Sequence, residues 1–136
     1  MRIAIVDDEE LARKLLREYL ASCNDVEIVA ECANGFEAVK AVTDLKPDLL
    51  LLDIHMPRLD GFEVLRRIQK LDKHVPVVAI TAAARPAERE KALKAGFCDY
   101  FVKPILEIER FRATVYSHIG KCVSSPVNPP DSEQAA

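Results

Sequence analysis

The sequence predicts an α/β domain in which a five-stranded parallel sheet is covered by helices on both faces. Two observations carry that expectation. Residues 2–7, 26–30, 48–53, 75–81 and 99–103 are short apolar runs, mostly continuous rather than alternating, as befits strands buried on both sides. The segments following these runs repeat their apolar residues at three- and four-residue spacing, the period of helices with one buried face. Alternating strands and helices with right-handed crossovers give a doubly wound sheet, expected in the order 2-1-3-4-5.

Taken in order, the first strand over residues 2–7 leads into a helix with a stripe of Leu11, Leu15, Leu16, Tyr19 and Leu20. After the second strand, Asn34 and Glu37 have the spacing of a capping box, and Phe36, Val39 and Val42 form the next stripe. The third strand contains four consecutive leucines, Leu49 to Leu52, and ends on Asp53. Asp60 with Glu63 repeats the capping signature ahead of Phe62, Leu65 and Ile68. The fourth strand, over residues 75–81, ends on Thr81. Pro86 suits a first helical turn and Gly96 a helix stop, which frames a helix over residues 86–95. Its apolar side chains beyond Pro86 are Ala87, Ala92, Leu93 and Ala95, so it has little area to bury. The fifth strand, over residues 99–103, precedes a last helix with Ile108, Phe111, Val115 and Ile119 on one face.

Composition narrows the function classes. The 136 residues suit one domain over residues 1–121, followed by a Pro- and Ser-rich disordered tail over residues 122–136. A net charge of -3 without a long Lys/Arg run argues against a nucleic-acid surface. There is no apolar stretch of 18 residues, and the first strand starts directly after Met1, so neither a membrane span nor a signal peptide is expected. Cys23, Cys32, Cys98 and Cys122 lack C-x-x-C spacing and read as reduced thiols of a cytoplasmic protein. Gly35, Gly61, Gly96 and Gly120 are too dispersed for a nucleotide-binding glycine motif, and His55, His74 and His118 suggest no ligand set.

In a doubly wound sheet the residues that end the strands meet at one edge, where ligands bind. Here they are Asp7 and Asp8, Asp53, Thr81 and Lys103. A carboxylate can attack phosphorus, adjacent acids attract a hard divalent cation, a lysine balances phosphoryl charge and a hydroxyl can donate to it. A strand-end Asp can equally cap a turn, and an Asp-Asp-Glu-Glu run can equally open a helix.

In order and spacing these residues resemble the receiver domain of two-component response regulators, of the single-domain chemotaxis-regulator type, over residues 2 to about 120. The resemblance implies a flavodoxin-like fold with Asp53 as phosphoacceptor. It implies Mg²⁺ held by Asp8, Asp53 and the backbone carbonyl of His55, with Asp7 acting through water. It also implies a charge role for Lys103 before a cis bond to Pro104, and switching by Thr81 and Tyr100. The implied donor is a sensor histidine kinase or a histidine phosphotransfer protein. The implied output is a partner protein engaging the fourth helix, fifth strand and fifth helix, by a monomer or a phosphorylation-dependent dimer. His55 and Ala83, each two positions beyond a site residue, would flank the water that ends the signal, and His55 is expected to slow that hydrolysis. Two other readings stay open: a receiver-like binding module that is never phosphorylated, and a haloacid-dehalogenase-type phosphatase. The second would require Asp-x-Asp where the chain has Asp53 and His55.

Overall fold

The structure, a computed structural model, describes residues 1–71, 74–82 and 85–122. Ala83, the side chain of Ile119 and the tail beyond residue 122 therefore lie outside the described residues. The elements are β1 (Arg2–Val6), α1 (Glu10–Leu20), β2 (Glu27–Cys32), α2 (Gly35–Leu45), β3 (Leu49–Asp53), α3 (Gly61–Leu71), β4 (Val77–Thr81), α4 (Pro86–Ala95), β5 (Asp99–Val102) and α5 (Ile108–Cys122). All strand pairs are parallel and the order is β2-β1-β3-β4-β5.

Continuous apolar strands follow from a sheet with no solvent face. Ala4, Val6, Leu50, Leu52, Val77 and Ala79 face a core closed by Ala38, Val42, Val64, Leu65 and Ile68 of α2 and α3, and by Ala92 of α4. Their neighbours Ile3, Ile5, Leu49, Leu51, Val78 and Ile80 face a second core closed by Leu16, Leu20, Phe111 and Val115 of α1 and α5. The side-chain alternation of a strand thus splits one apolar run between two cores.

Several local expectations shift: Leu11, placed on the apolar stripe of α1, is 67% exposed, and β1, β3 and β5 are each one residue shorter than read. β2 begins one residue later than residue 26 and extends to Cys32, since an edge strand can pair Glu31 with Ile5 while the Glu31 carboxylate meets Arg17 at 2.5 Å. Val75 and Pro76 stay outside β4; Pro76 has no N–H to give, although its carbonyl accepts from Leu50 at 3.0 Å. On α2, Phe36 is 50% exposed beneath the Arg67 guanidinium, and the buried residues are Gly35, Ala38, Ala41 and Val42. Small side chains let α2 approach closely: a Cβ at Gly35 would stand 2.6 Å from Val64 Cγ2.

The helix starts behave as read. Asn34 Oδ1 accepts the Glu37 N–H at 2.9 Å, and Glu37 Oε1 accepts from Ala33 at 2.7 Å, one residue further out than a capping box requires. Asp60 Oδ1 accepts the Glu63 N–H at 3.0 Å, while the Glu63 carboxylate turns to Arg66 and Arg67. Gly96, with φ of 121°, closes α4 in a region that side chains with a Cβ rarely adopt. Because Ala92 is the one buried residue of α4, this helix is expected to exchange its amide hydrogens faster than the other four. Hydrogen exchange by mass spectrometry checks this; slower exchange in α4 than in α1 would contradict it.

Candidate functional site

The parallel register brings three strand ends together. Asp53 is the last residue of β3 and pairs with Ile80, so Thr81 ends β4 one position on, and Thr81 pairs with Val102 just ahead of Lys103. On the other side Val6 pairs with Leu52, so Asp7 follows β1 beside Asp53. Asp7 and Asp53 are almost fully buried, at 1% and 3% exposure, while Asp8 is exposed.

Each group is held by backbone. Asp7 donates its N–H to Cys32 O at 3.0 Å and its Oδ1 accepts the Glu9 N–H at 2.9 Å, which fixes the β1–α1 turn. Arg13 Nη1 donates to the Asp7 carbonyl at 2.6 Å. Asp53 Oδ1 accepts the His55 N–H at 3.3 Å. Lys103 donates its N–H to the Thr81 carbonyl at 2.7 Å, and the bond from Lys103 to Pro104 is cis. The Lys103 ammonium then lies 2.6 Å from Asp7 Oδ2 and 3.5 Å from both Asp53 Oδ2 and Glu9 Oε1.

Glycine at position 61 is part of this architecture. Gly61 donates its N–H to the Ile54 carbonyl at 2.7 Å, and a Cβ there would stand 2.6 Å from Ile54 Cα and 2.8 Å from the Asp53 carbonyl oxygen. Both obstacles are backbone, so Gly61→Ala is expected to lower stability by about 2–4 kcal/mol and to displace the segment that carries Asp53. Urea unfolding of the variant checks this; a change below about 0.5 kcal/mol would show that the loop yields freely.

Burial and crowding set the charges. Burial raises the Asp53 carboxyl and the neighbouring Asp7 raises it further; Lys103 and the His55 N–H work the other way, Asp8 adds to the rise, and the result is about 7. For Lys103, burial works to lower its pKa, but the Asp7 hydrogen bond and the charges of Asp53, Asp7 and Glu9 outweigh it and hold it above the usual lysine value. Oxygen atoms of Asp7, Asp8 and Asp53 all lie within 4.8 Å of one another. An all-oxygen cluster of three acids, balanced by one lysine, fits a hard divalent cation of the Mg²⁺ kind.

The residues expected at the site are therefore brought together in the case of Asp7, Asp8, Asp53 and Lys103, with Thr81 buried alongside. Tyr100 is also buried, and its hydroxyl donates to Glu88 Oε1 at 3.4 Å. Burial raises the phenol, and the charge and hydrogen bond of Glu88 add to that. The ring of His55 meets the same acid: its Nε2 lies 2.9 Å from the Glu88 oxygen that Tyr100 approaches. Glu88 is the functional candidate that sequence reading misses, because an acid in a first helical turn is what the helix dipole alone would favour.

Residues 3–116 match the family described as the response regulator receiver domain. The chain belongs to that family. Two curated relatives illustrate the range. The transcriptional regulatory protein BtsR of Salmonella typhi is 44% identical over 117 residues, which are 85% of this chain and 47% of that protein. The chain thus spans about half the length of the BtsR relatives it matches. The chemotaxis protein CheY of Thermotoga maritima is 35% identical over 103 residues, covering 76% of this chain and 85% of CheY. Among solved structures, the CheX-CheY-BeF3-Mg complex of Borrelia burgdorferi contains a chain of 29% identity that superposes with a TM-score of 0.76, covering 90% of this chain and 89% of that chain. The receiver domain is accordingly a signal-transduction module of two-component systems. Among the described residues no helix is long and apolar enough to cross a membrane.

Proposed function

We propose that this receiver domain takes a phosphoryl group from a phosphohistidine donor onto Asp53 and reports it to a partner protein. The observation that carries the reading is a buried carboxylate at the carboxyl edge of the sheet, with Asp7 and Asp8 beside it and the Lys103 ammonium 3.5 Å away. Asp8, Asp53 and the His55 carbonyl would hold Mg²⁺, with Asp7 reaching it through water. When bound, Mg²⁺ neutralises the carboxylates and offsets the charge on the phosphoryl oxygens.

The chain's own groups would divide the work. Asp53 supplies the attacking oxygen, and Lys103 exchanges part of its pairing with Asp7 and Asp53 for the incoming phosphoryl oxygens. Thr81 donates its hydroxyl to the loaded group. Tyr100 follows Thr81, and α4, β5 and α5 then present an altered surface to the partner. Reversal is slow hydrolysis of the acyl phosphate by water. Beside the site, α1 and the segment after β5 leave a groove of about 290 Å³ along Leu11, Ala12, Leu15, Pro104 and Ile105. It shares Lys103 and Glu9 with the acceptor edge, so the apolar face of the donor helix bearing the phosphohistidine would seat there.

The donor class is a sensor histidine kinase or a histidine phosphotransfer protein of the cytoplasm, and the domain acts as a monomer or as a dimer formed on phosphorylation. Incubation with acetyl phosphate and Mg²⁺, followed by intact mass, tests the reading; no phosphoryl adduct on the wild type would reject it. Asp8→Ala is expected to weaken Mg²⁺ binding by more than about tenfold, by removing a direct carboxylate ligand. Calorimetric titration checks that role, and an unchanged affinity would refute it.

A further inference from the structure

Three elements meet at one oxygen atom. Glu88 lies in the first turn of α4, and its side chain is 18% exposed although Arg89, Glu90 and Lys91 after it are in solvent. Its Oε1 lies 2.9 Å from His55 Nε2 and 3.4 Å from the Tyr100 hydroxyl. His55 in turn gives its backbone N–H to Asp53 Oδ1 at 3.3 Å. The acceptor segment, α4 and β5 are therefore linked through a single carboxylate. That link is the more consequential because α4 has just Ala92 buried to hold it to the sheet.

A carboxylate facing a ring nitrogen fixes where the imidazole keeps its proton. Because an ionised carboxylate only accepts, a His55 ring held against Glu88 would donate from Nε2, and that N–H would be committed to α4. A phosphoryl group on Asp53, two residues away, would compete for the same donor. We infer that Glu88 is a positioning residue for the acceptor site, which withholds the His55 ring from the phosphoryl group and so sets how long the phosphorylated state lasts. The inference rests on Asp53 being the phosphoacceptor. The reaction concerned is hydrolysis: water adds to phosphorus, the bond from phosphorus to the Asp53 oxygen breaks, and the water proton leaves with inorganic phosphate as Asp53 regains its carboxylate. Once released from Glu88, the ring turns to the phosphoryl oxygens and stands in the approach of that water. Removing Glu88 therefore prolongs the phosphorylated state.

The test uses the full chain, loaded with acetyl phosphate and Mg²⁺, and follows loss of the adduct after the donor is removed. Glu88→Ala is expected to decay about fivefold more slowly than wild type, the worth of one ordinary hydrogen bond. Glu88→Gln keeps an accepting oxygen and is expected to fall between the two. In the His55→Ala background, Glu88→Ala is expected to change nothing further, since the ring through which it acts is gone. Decay that is unchanged or faster in Glu88→Ala overturns the inference, and so does an equal slowing in the His55→Ala background. Nitrogen-15 spectra of the resting protein give a second readout that needs no phosphoryl group. Wild-type His55 is expected to show the Nε2–H form, with a mixture of both forms in Glu88→Ala. If the wild type takes up no phosphoryl group, the acceptor reading fails by itself, and an unchanged His55 ring spectrum in Glu88→Ala overturns the positioning role.

Discussion

Asp53→Asn is expected to abolish phosphoryl uptake and, in metal-free buffer above neutral pH, to make the fold more stable than wild type. The first effect follows from chemistry, since an amide of nearly the same shape is a poor nucleophile toward phosphorus. The second follows from the carboxyl raised from 3.8 to about 7. The folded protein keeps that proton over a range in which the unfolded chain has already released it. The stability associated with the protonated form is thus complete below about pH 4 and is lost as the pH rises through about 7. The full shift corresponds to about 4 kcal/mol. Water at the open sheet edge reduces it, so the asparagine variant should gain about 1–3 kcal/mol over wild type near pH 8 and far less near pH 4. Urea unfolding at the two pH values, paired with intact mass after acetyl phosphate, measures both effects. A phosphoryl adduct on the variant would remove Asp53 from the acceptor role, and equal stabilities at pH 8 would show that its charge is already relieved.

Lys103→Ala is expected to destabilise the fold strongly when Mg²⁺ is absent. Its ammonium stands 2.6 Å from Asp7 Oδ2 and 3.5 Å from Asp53 Oδ2, and both acids are buried. Taking away one member of a buried ion pair leaves the desolvation of the others uncompensated, which costs about 3–5 kcal/mol where the group is fully enclosed. The Lys103 side chain retains 17% exposure, which places the expected loss at about 2–4 kcal/mol. Added Mg²⁺ should recover part of it by occupying the acidic cluster, so the variant should show the larger Mg²⁺-dependent rise in unfolding midpoint. A variant as stable as wild type without the ion would mean that water reaches and solvates the Asp7 carboxylate in place of Lys103.

How far the sequence discloses this site depends on what each residue reports about its surroundings. Leu49 to Leu52 announce a strand buried on both faces, because no other common element uses so short and continuous an apolar run, and their position beside β1 and β4 follows from crossover handedness. Asp53, Thr81 and Lys103 are legible because each polar group ends such a run. The stripe of α2 is misread at Phe36, since alanine and glycine carry almost no hydropathic weight while deciding how closely a helix can pack. Glu88 is invisible for a different reason. Its partners His55 and Tyr100 are 33 and 12 residues away, and no local pattern distinguishes a carboxylate aimed inward from one that serves only the helix N-terminus. Long-range polar contacts of this kind appear once the chain is folded.

The sheet keeps its two cores apart, with α1 and α5 on one side and α2, α3 and α4 on the other. The groove that would seat the donor lies along the first layer, whereas α4 belongs to the second. On the proposed reading, surface changes along Leu11 and Leu15 would alter the donor seat while α4 keeps its packing on the opposite layer. In evolutionary terms the input of such a receiver could be rewired by drift along α1, with the α4 part of its output surface preserved.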